Sequence, residues 1–318
     1  MKDTKSVRVG LIGLGSMGRN HLRVLSMLKG VDLAFIYDLD AALAARLAEE
    51  NGTVTGSDLE LLLEGVDAVV ICTPTVTHSE YLRRAAEKVS NIFVEKPLAH
   101  DLNETRTLLD FIAARGLNVQ VGFIERFNPA VQQLKSVVDG SRQVISMDFT
   151  RTNKLSSRIT DVDVVTDLMI HDIDLAIYLN GPVSNIAAQG WATDGMINFA
   201  SASLTHANGR FSRIQASRIT EKKMRSIQAT CIDMFVDCEL MRKELLVNRQ
   251  SEIQHRDGGP YRISAIEETI EVRPQEALLS ELQAFAAMCQ TGNLQGPSAA
   301  EALAAADICE TIQQLVLA

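Results

Sequence analysis

The sequence predicts an α/β protein: an N-terminal doubly wound parallel sheet, then an α+β domain with an open mixed or antiparallel sheet. Three observations carry this. Strands and helices alternate at short spacing over residues 1–122. The strands of that stretch are continuous apolar runs, as in a parallel sheet covered on both faces. Beyond residue 122, strands follow one another with apolar/polar alternation and no helices between them, the mark of an antiparallel or mixed sheet. At about 100–200 residues per domain, a chain of 318 accommodates two, placed here at 1–122 and 123–318.

Each element follows from local pattern. Strands are predicted over 7–13, 31–37, 67–72, 91–94 and 118–122, separated by helices over 17–28, 41–49, 79–88 and 103–115. Helix starts are marked by Ser57 with Glu60, Thr77 with Glu80, and Asp101 with Glu104, each spaced as a capping box. In the second half a helix follows Asn128-Pro129, a strand spans 143–151 and a helix spans 165–179. Successive strands fill 186–247, and two helices, 275–289 and 299–315, end the chain, the last capped by Ser298 with Glu301.

Composition narrows the function classes. With 31 basic and 40 acidic residues the net charge is −9, which argues against a nucleic-acid polymer as partner. The surplus is uneven: residues 142–160 carry +3 and residues 210–225 carry +5, so a phosphorylated small molecule stays compatible. No apolar run approaches the roughly 18 residues of a membrane span. Lys2, Lys5 and Arg8 precede an apolar run as in a signal peptide, but Gly10 and Gly13 interrupt it and it reads as a strand. The five cysteines form no C-x-x-C pair and no His-flanked ligand set, so no metal site or disulfide framework is expected. Their odd count suits a reducing cytoplasm.

The first strand runs into Gly13-Leu14-Gly15-Ser16-Met17-Gly18. Gly13 permits the tight turn, Gly15 lets a pyrophosphate approach the backbone, and Gly18 allows close helix–strand packing. The helix that follows then directs its N-terminal N–H groups, near Ser16 and Met17, at the phosphates. Asp38 closes the next strand, 20 residues past Gly18, where a carboxylate accepts hydrogen bonds from the adenosine ribose diol and repels a 2′-phosphate. The expected cofactor is therefore NAD rather than NADP. The competing reading is a glycine-rich turn with Asp38 as a helix-start residue.

Two further groups carry chemistry. Glu95-Lys96-Pro97 ends a strand of the parallel sheet, where carboxyl ends line the ligand crevice; the proline marks a fixed turn, with a cis bond open to it. Lys96 is there either a ligand contact or a surface lysine before a helix. Asp167 and His171, four apart, share one helical face, which Asp174 and Tyr178 extend. The pair is either a proton-transfer device or a helix-stabilising i,i+4 contact.

Together, Gly13-x-Gly15-x-x-Gly18, Asp38, Thr73-Pro74-Thr75-x-x-His78, Glu95-Lys96-Pro97 and Asp167-x-x-x-His171 resemble the Gfo/Idh/MocA oxidoreductases, in order and along nearly the whole chain. The resemblance implies a Rossmann domain on NAD(P) and a second domain whose open sheet serves oligomerisation, as a dimer or tetramer. It implies cofactor contacts from the glycine loop, Thr73, Pro74, His78 and Glu95. It also makes Lys96 a contact to substrate and nicotinamide ribose, and Asp167 and His171 the catalytic pair. Residues 121–129, 158–161, 167–174 and 217–225 are similar to the UDP-N-acetylglucosamine 3-dehydrogenase group, implying a nucleotide-sugar substrate. Arg126, Arg151 and Arg158 are candidates for a substrate phosphate or carboxylate, with solvated surface arginines as the alternative. Where such relatives carry glycine before the Asp/His helix, this chain has Asp161-Val162-Asp163. An inositol or free-sugar dehydrogenase and a non-catalytic NAD-binding regulator are the competing functions.

Overall fold

The computed structural model describes residues 6–154, 162–254 and 262–318. Strands β1 (Val7–Ile12), β2 (Val31–Tyr37), β3 (Ala68–Ile71), β4 (Asn91–Glu95) and β5 (Asn118–Gly122) form one parallel sheet in the order β2-β1-β3-β4-β5. Helices α1 (Ser16–Leu25), α2 (Ala41–Asn51), α3 (Leu59–Leu63), α4 (His78–Ala85) and α5 (Leu102–Arg115) connect them. The chain leaves β1 for β2 on one side and returns to β3 on the other. The loops after β1 and β3 therefore part at the switch point where such sheets bind ligands.

The predicted caps hold in part. Asp101 accepts from the Glu104 N–H at 2.8 Å. For α3 the cap is Asp58, accepting from the Leu61 N–H, instead of Ser57. The Thr77 side chain makes no cap bond to α4 and turns back to the Pro74 carbonyl at 2.7 Å.

The second unit contains α6 (Pro129–Asp139), β6 (Val144–Thr152), a π-helical turn over Val165–Met169 and α7 (Ile170–Asn180). Strands β7 (Val183–Thr193), β8 (Met196–His206), β9 (Phe211–Ser217), β10 (Met224–Cys231), β11 (Met234–Glu239), β12 (Glu244–Gln254) and β13 (Arg262–Ile270) follow. With β6 they form an eight-stranded sheet in the order β13-β12-β11-β10-β6-β9-β8-β7. All pairings are antiparallel except β6 with β9, so the sheet is mixed, as expected. The strand run extends beyond the predicted limit of 247 because β12 continues and β13 pairs with it.

The chain's compact units break two residues beyond the expected boundary at 122, and the first unit also takes a later segment. One unit comprises Met1–Ile124 with Glu276–Ala306, the other Glu125–Gln275 with Asp307–Ala318. The cause is α8 (Ala277–Thr291), whose Leu278, Leu282, Phe285 and Met288 join the core cluster of Val9, Leu11, Leu22 and Leu25. Burying each such side chain contributes roughly 1.5–3 kcal/mol. After α8 the Pro297 carbonyl accepts from the Val121 N–H at 2.8 Å and covers the open edge of β5. The final helix, α9 (Ala299–Leu317), starts with the predicted reciprocal cap: Ser298 N–H to Glu301 Oε2 at 2.9 Å and Glu301 N–H to Ser298 Oγ at 3.2 Å. Among the described residues no helix is long and apolar enough to cross a membrane.

Candidate active site

The loops after β1, β2 and β3 enclose a cavity of about 350 Å³, lined by Gly13, Gly15, Asp38, Leu39, Thr73, Pro74 and Tyr81 among others. Gly13 has φ +93°, and a Cβ there would stand 2.7 Å from the Cys72 carbonyl. A Cβ on Gly18 would stand 2.0 Å from the Gly13 oxygen. Gly15 faces open space, with nothing within 4 Å of its Cβ position. That is the shape a pyrophosphate needs: backbone held tight behind, room in front, and the exposed first residues of α1, Ser16 and Met17, presenting N–H groups. Asp38 takes N–H bonds from Leu14 at 2.7 Å and Asp40 at 2.9 Å, which fixes its carboxylate against the glycine loop. Each oxygen keeps a second lone pair for a ribose hydroxyl. These residues fit a dinucleotide. Arg46, on the exposed face of α2, pairs with Glu50.

Lys96 and Pro97 follow β4 through a cis peptide bond. Two buried histidines hold this turn. His21, one helical turn into α1, contacts Glu95 Oε1 through Nε2 at 2.7 Å. The other carboxylate oxygen accepts from the Lys96 N–H at 3.3 Å. A Cβ on Gly122 of neighbouring β5 would stand 2.9 Å from that oxygen, so glycine makes room for the carboxylate. The buried Cys72 thiol packs beside the pair, and burial with nearby Glu95 and Glu281 pushes its pKa well up, so it stays protonated. His78 does not line the cavity as expected. It is 1% exposed, with Nδ1 2.8 Å from the Pro97 carbonyl and Nε2 2.9 Å from the Thr73 carbonyl. Glu95 likewise lies beneath the crevice, buried as the partner of His21. No sequence signal beyond its place three residues after Gly18 marked His21.

In the second unit Asp167 lies in the π turn and His171 is the second residue of α7; both are partly exposed. The predicted continuous α-helix thus begins with a widened turn, a device common at functional sites. Asp163 explains its start. Its Oδ1 accepts from the N–H groups of Val165 and Thr166, each at 3.0 Å, and its Oδ2 accepts from Gln313 Nε2 at 2.8 Å. Asp163, one residue of the stretch that departs from the resembled pattern, is therefore the helix cap. Arg218 braces the approach, donating to the Val162 carbonyl at 2.7 Å and Asn198 Oδ1 at 2.9 Å.

The arginine candidates change role. Arg151 is buried and donates to both oxygens of Asp172, at 2.7 and 2.8 Å, and to Glu125 at 2.9 Å. Arg126 donates to both oxygens of Asp174, at 2.8 and 2.6 Å, and stacks 5.0 Å from the Tyr178 ring. Their guanidinium forks are committed to internal carboxylates, which removes both from the phosphate-binding set. Asp174, expected to share the face of Asp167, is buried as part of this network. Arg158 lies outside the described residues. Arg225, 3.2 Å from Glu125, is one-third exposed and opens with Lys222 and Lys223 on a cavity of about 290 Å³. Burial and Arg151 draw its pKa down, while Glu125, Asp172 and Asp167 oppose this.

Residues 7–123 match the NAD-binding Rossmann fold of the Gfo/Idh/MocA oxidoreductase family, and residues 138–232 match the family's C-terminal domain. The chain is 30% identical over 283 residues to a UDP-N-acetylglucosamine 3-dehydrogenase of Acidithiobacillus ferrooxidans, covering 88% of this chain and 87% of that one. It is 28% identical over 318 residues to an inositol 2-dehydrogenase of Rhizobium meliloti, covering 94% of each. A solved structure of UDP-N-acetylglucosamine 3-dehydrogenase from A. ferrooxidans superposes with TM-score 0.87 at 25% identity over 98% of both chains.

Proposed function

Because the chain belongs to the Gfo/Idh/MocA oxidoreductases, a family of sugar and inositol dehydrogenases, we propose that it oxidises a secondary hydroxyl of a nucleotide sugar such as UDP-N-acetylglucosamine, with NAD. The observation that carries this reading is the match of nearly the whole chain to such an enzyme, with Lys96, Asp167 and His171 all present.

NAD, when bound in the glycine-loop crevice, supplies the hydride acceptor. His171 takes the hydroxyl proton as general base. Lys96 holds the hydroxyl oxygen and stabilises negative charge as it develops. Asp167 orients the imidazole and supports its protonated form. Asp38 with the hydrophobic Leu39 beside it favours NAD over NADP. With Arg126 and Arg151 committed internally, Arg225, Lys222 and Lys223 become the basic side chains proposed for the phosphates.

Turnover with a panel of UDP-sugars and polyols, followed by NADH fluorescence, tests substrate class. A UDP-sugar is expected to be oxidised. Turnover of a polyol alone favours the inositol reading, which the similarity to inositol dehydrogenases supports. Lys96→Met and His171→Ala are each expected to lower kcat by about 10²–10⁴-fold while leaving NADH binding largely in place. Activity surviving both changes rejects this site.

A further inference from the structure

His78 is a buried side chain that the proposed chemistry leaves without a part. It opens α4, and its ring fills the space between the loops after β3 and β4. Both ring nitrogens face backbone carbonyls, Nδ1 toward Pro97 and Nε2 toward Thr73. Pro97 adjoins Lys96, and Thr73 lines the cofactor cavity. A neutral imidazole has one N–H to offer, so it can donate to only one of these two carbonyls. Within the turn after β4 the Lys96 N–H donates to Glu95, and the Pro97 nitrogen has no hydrogen to donate.

We infer that His78 is a positioning residue for Lys96, its Nδ1–H donating to the Pro97 carbonyl and so fixing the turn that presents the lysine. This rests on the reading of Lys96 as the contact to the reacting hydroxyl. His78 is 1% exposed and acts through the main chain. The Nε2 contact to Thr73 becomes a second donated bond when the ring is protonated. Burial draws the ring toward the neutral form, and the two carbonyls with the carboxylates of Glu95 and Glu104 pull the other way. The tie to Pro97 needs only the Nδ1 proton, so it holds in both states.

The test uses side chains that place an amide donor at one ring position or the other. Asparagine puts its NH₂ near Nδ1; glutamine puts it near Nε2. His78→Asn is expected to keep kcat within a few-fold of the parent, whereas His78→Gln and His78→Ala lose about tenfold or more, the worth of one hydrogen bond. NADH affinity, read by fluorescence, is expected to change less than kcat in all three. A purely structural role predicts instead that kcat, NADH affinity and Tm fall together in the same rank order, and that result overturns the inference. The parent protein gives a reading that no folding defect can spoil: imidazole ¹⁵N shifts of His78. A protonated Nδ1 is required, and a bare Nδ1 sinks the idea. Lys96→Met separates the two levels. If that variant turns over normally, the site reading fails; if it is inactive while the Asn and Gln variants behave alike, only the role of His78 fails.

Discussion

The cofactor crevice and the helix bearing His171 are held by different physics. In the first, main-chain groups do most of the work: glycines pack where a Cβ would collide, Asp38 caps the loop, and histidines grip a turn. In the second, α7 is anchored by buried charge. Its Asp172 and Asp174 meet Arg151 and Arg126, with Glu125 and Arg225 completing three cations against three anions. A steric scaffold resists small changes of shape, while an ionic scaffold resists loss of a partner. A buried ion left alone costs far more than the pair contributed.

The largest expected effect tests this contrast directly. Arg151→Leu strips the buried Asp172 of its guanidinium and leaves Glu125 with Arg225 and Asn128, and it is expected to cost about 3–5 kcal/mol in urea unfolding. Were Arg151 a substrate ligand, the loss would fall on KM with stability intact, and the contrast would collapse. Next is Gly18→Ala on the steric side. Its Cβ meets a backbone oxygen that has no room to give. Overpacking of this kind costs about 1–3 kcal/mol, and NADH binding should weaken with it; unchanged binding would break the account of the loop.

The smallest effect concerns pH. Arg151 and Arg225 hold the buried Glu125 carboxyl below its ordinary value of 4.5 against the opposing effect of burial. The folded form thus binds this proton less readily than the unfolded chain. Its stabilisation is full above about pH 4.5 and drains away as pH falls through the depressed value. Glu125→Gln should remove that part of the acid limb in an unfolding series from pH 6 to about pH 3, and an unaltered slope would place the acid sensitivity elsewhere.

The same contrast sets what a sequence reveals. Gly13 and Gly18 were legible because only one residue type meets their steric demand, and Gly15 by its fixed spacing between them; Asp38 and the Lys96-Pro97 turn were legible from their places at strand ends. The apolar runs of β1 to β5 gave their sheet away for a similarly local reason. An arginine carries no such mark. Arg151 reads the same whether it meets a phosphate or Asp172, which is 21 residues distant. Its true partner is chosen by the register of β6 against α7, a long-range fact. His21 stayed silent because Glu95 is 74 residues away. The return of α8 to the first sheet was hidden likewise, since an apolar helix face does not name the surface it covers. Asp163 is the intermediate case: its cap bonds to Val165 and Thr166 are local, but its other oxygen is held by Gln313, 150 residues away.

That return of α8 has a bearing on how the protein is made. Leu278, Leu282, Phe285 and Met288 complete a core whose other members begin at Val7. On the ribosome, at about 5–20 residues per second, the first sheet is complete roughly 8–34 seconds before its last covering helix. For that interval an apolar strip on α1 and β1 has no partner in the nascent chain. A ribosome stalled just after residue 275 should therefore display a nucleotide fold with one flank bare, a natural place for a chaperone to bind and then be displaced by the protein's own C-terminal segment.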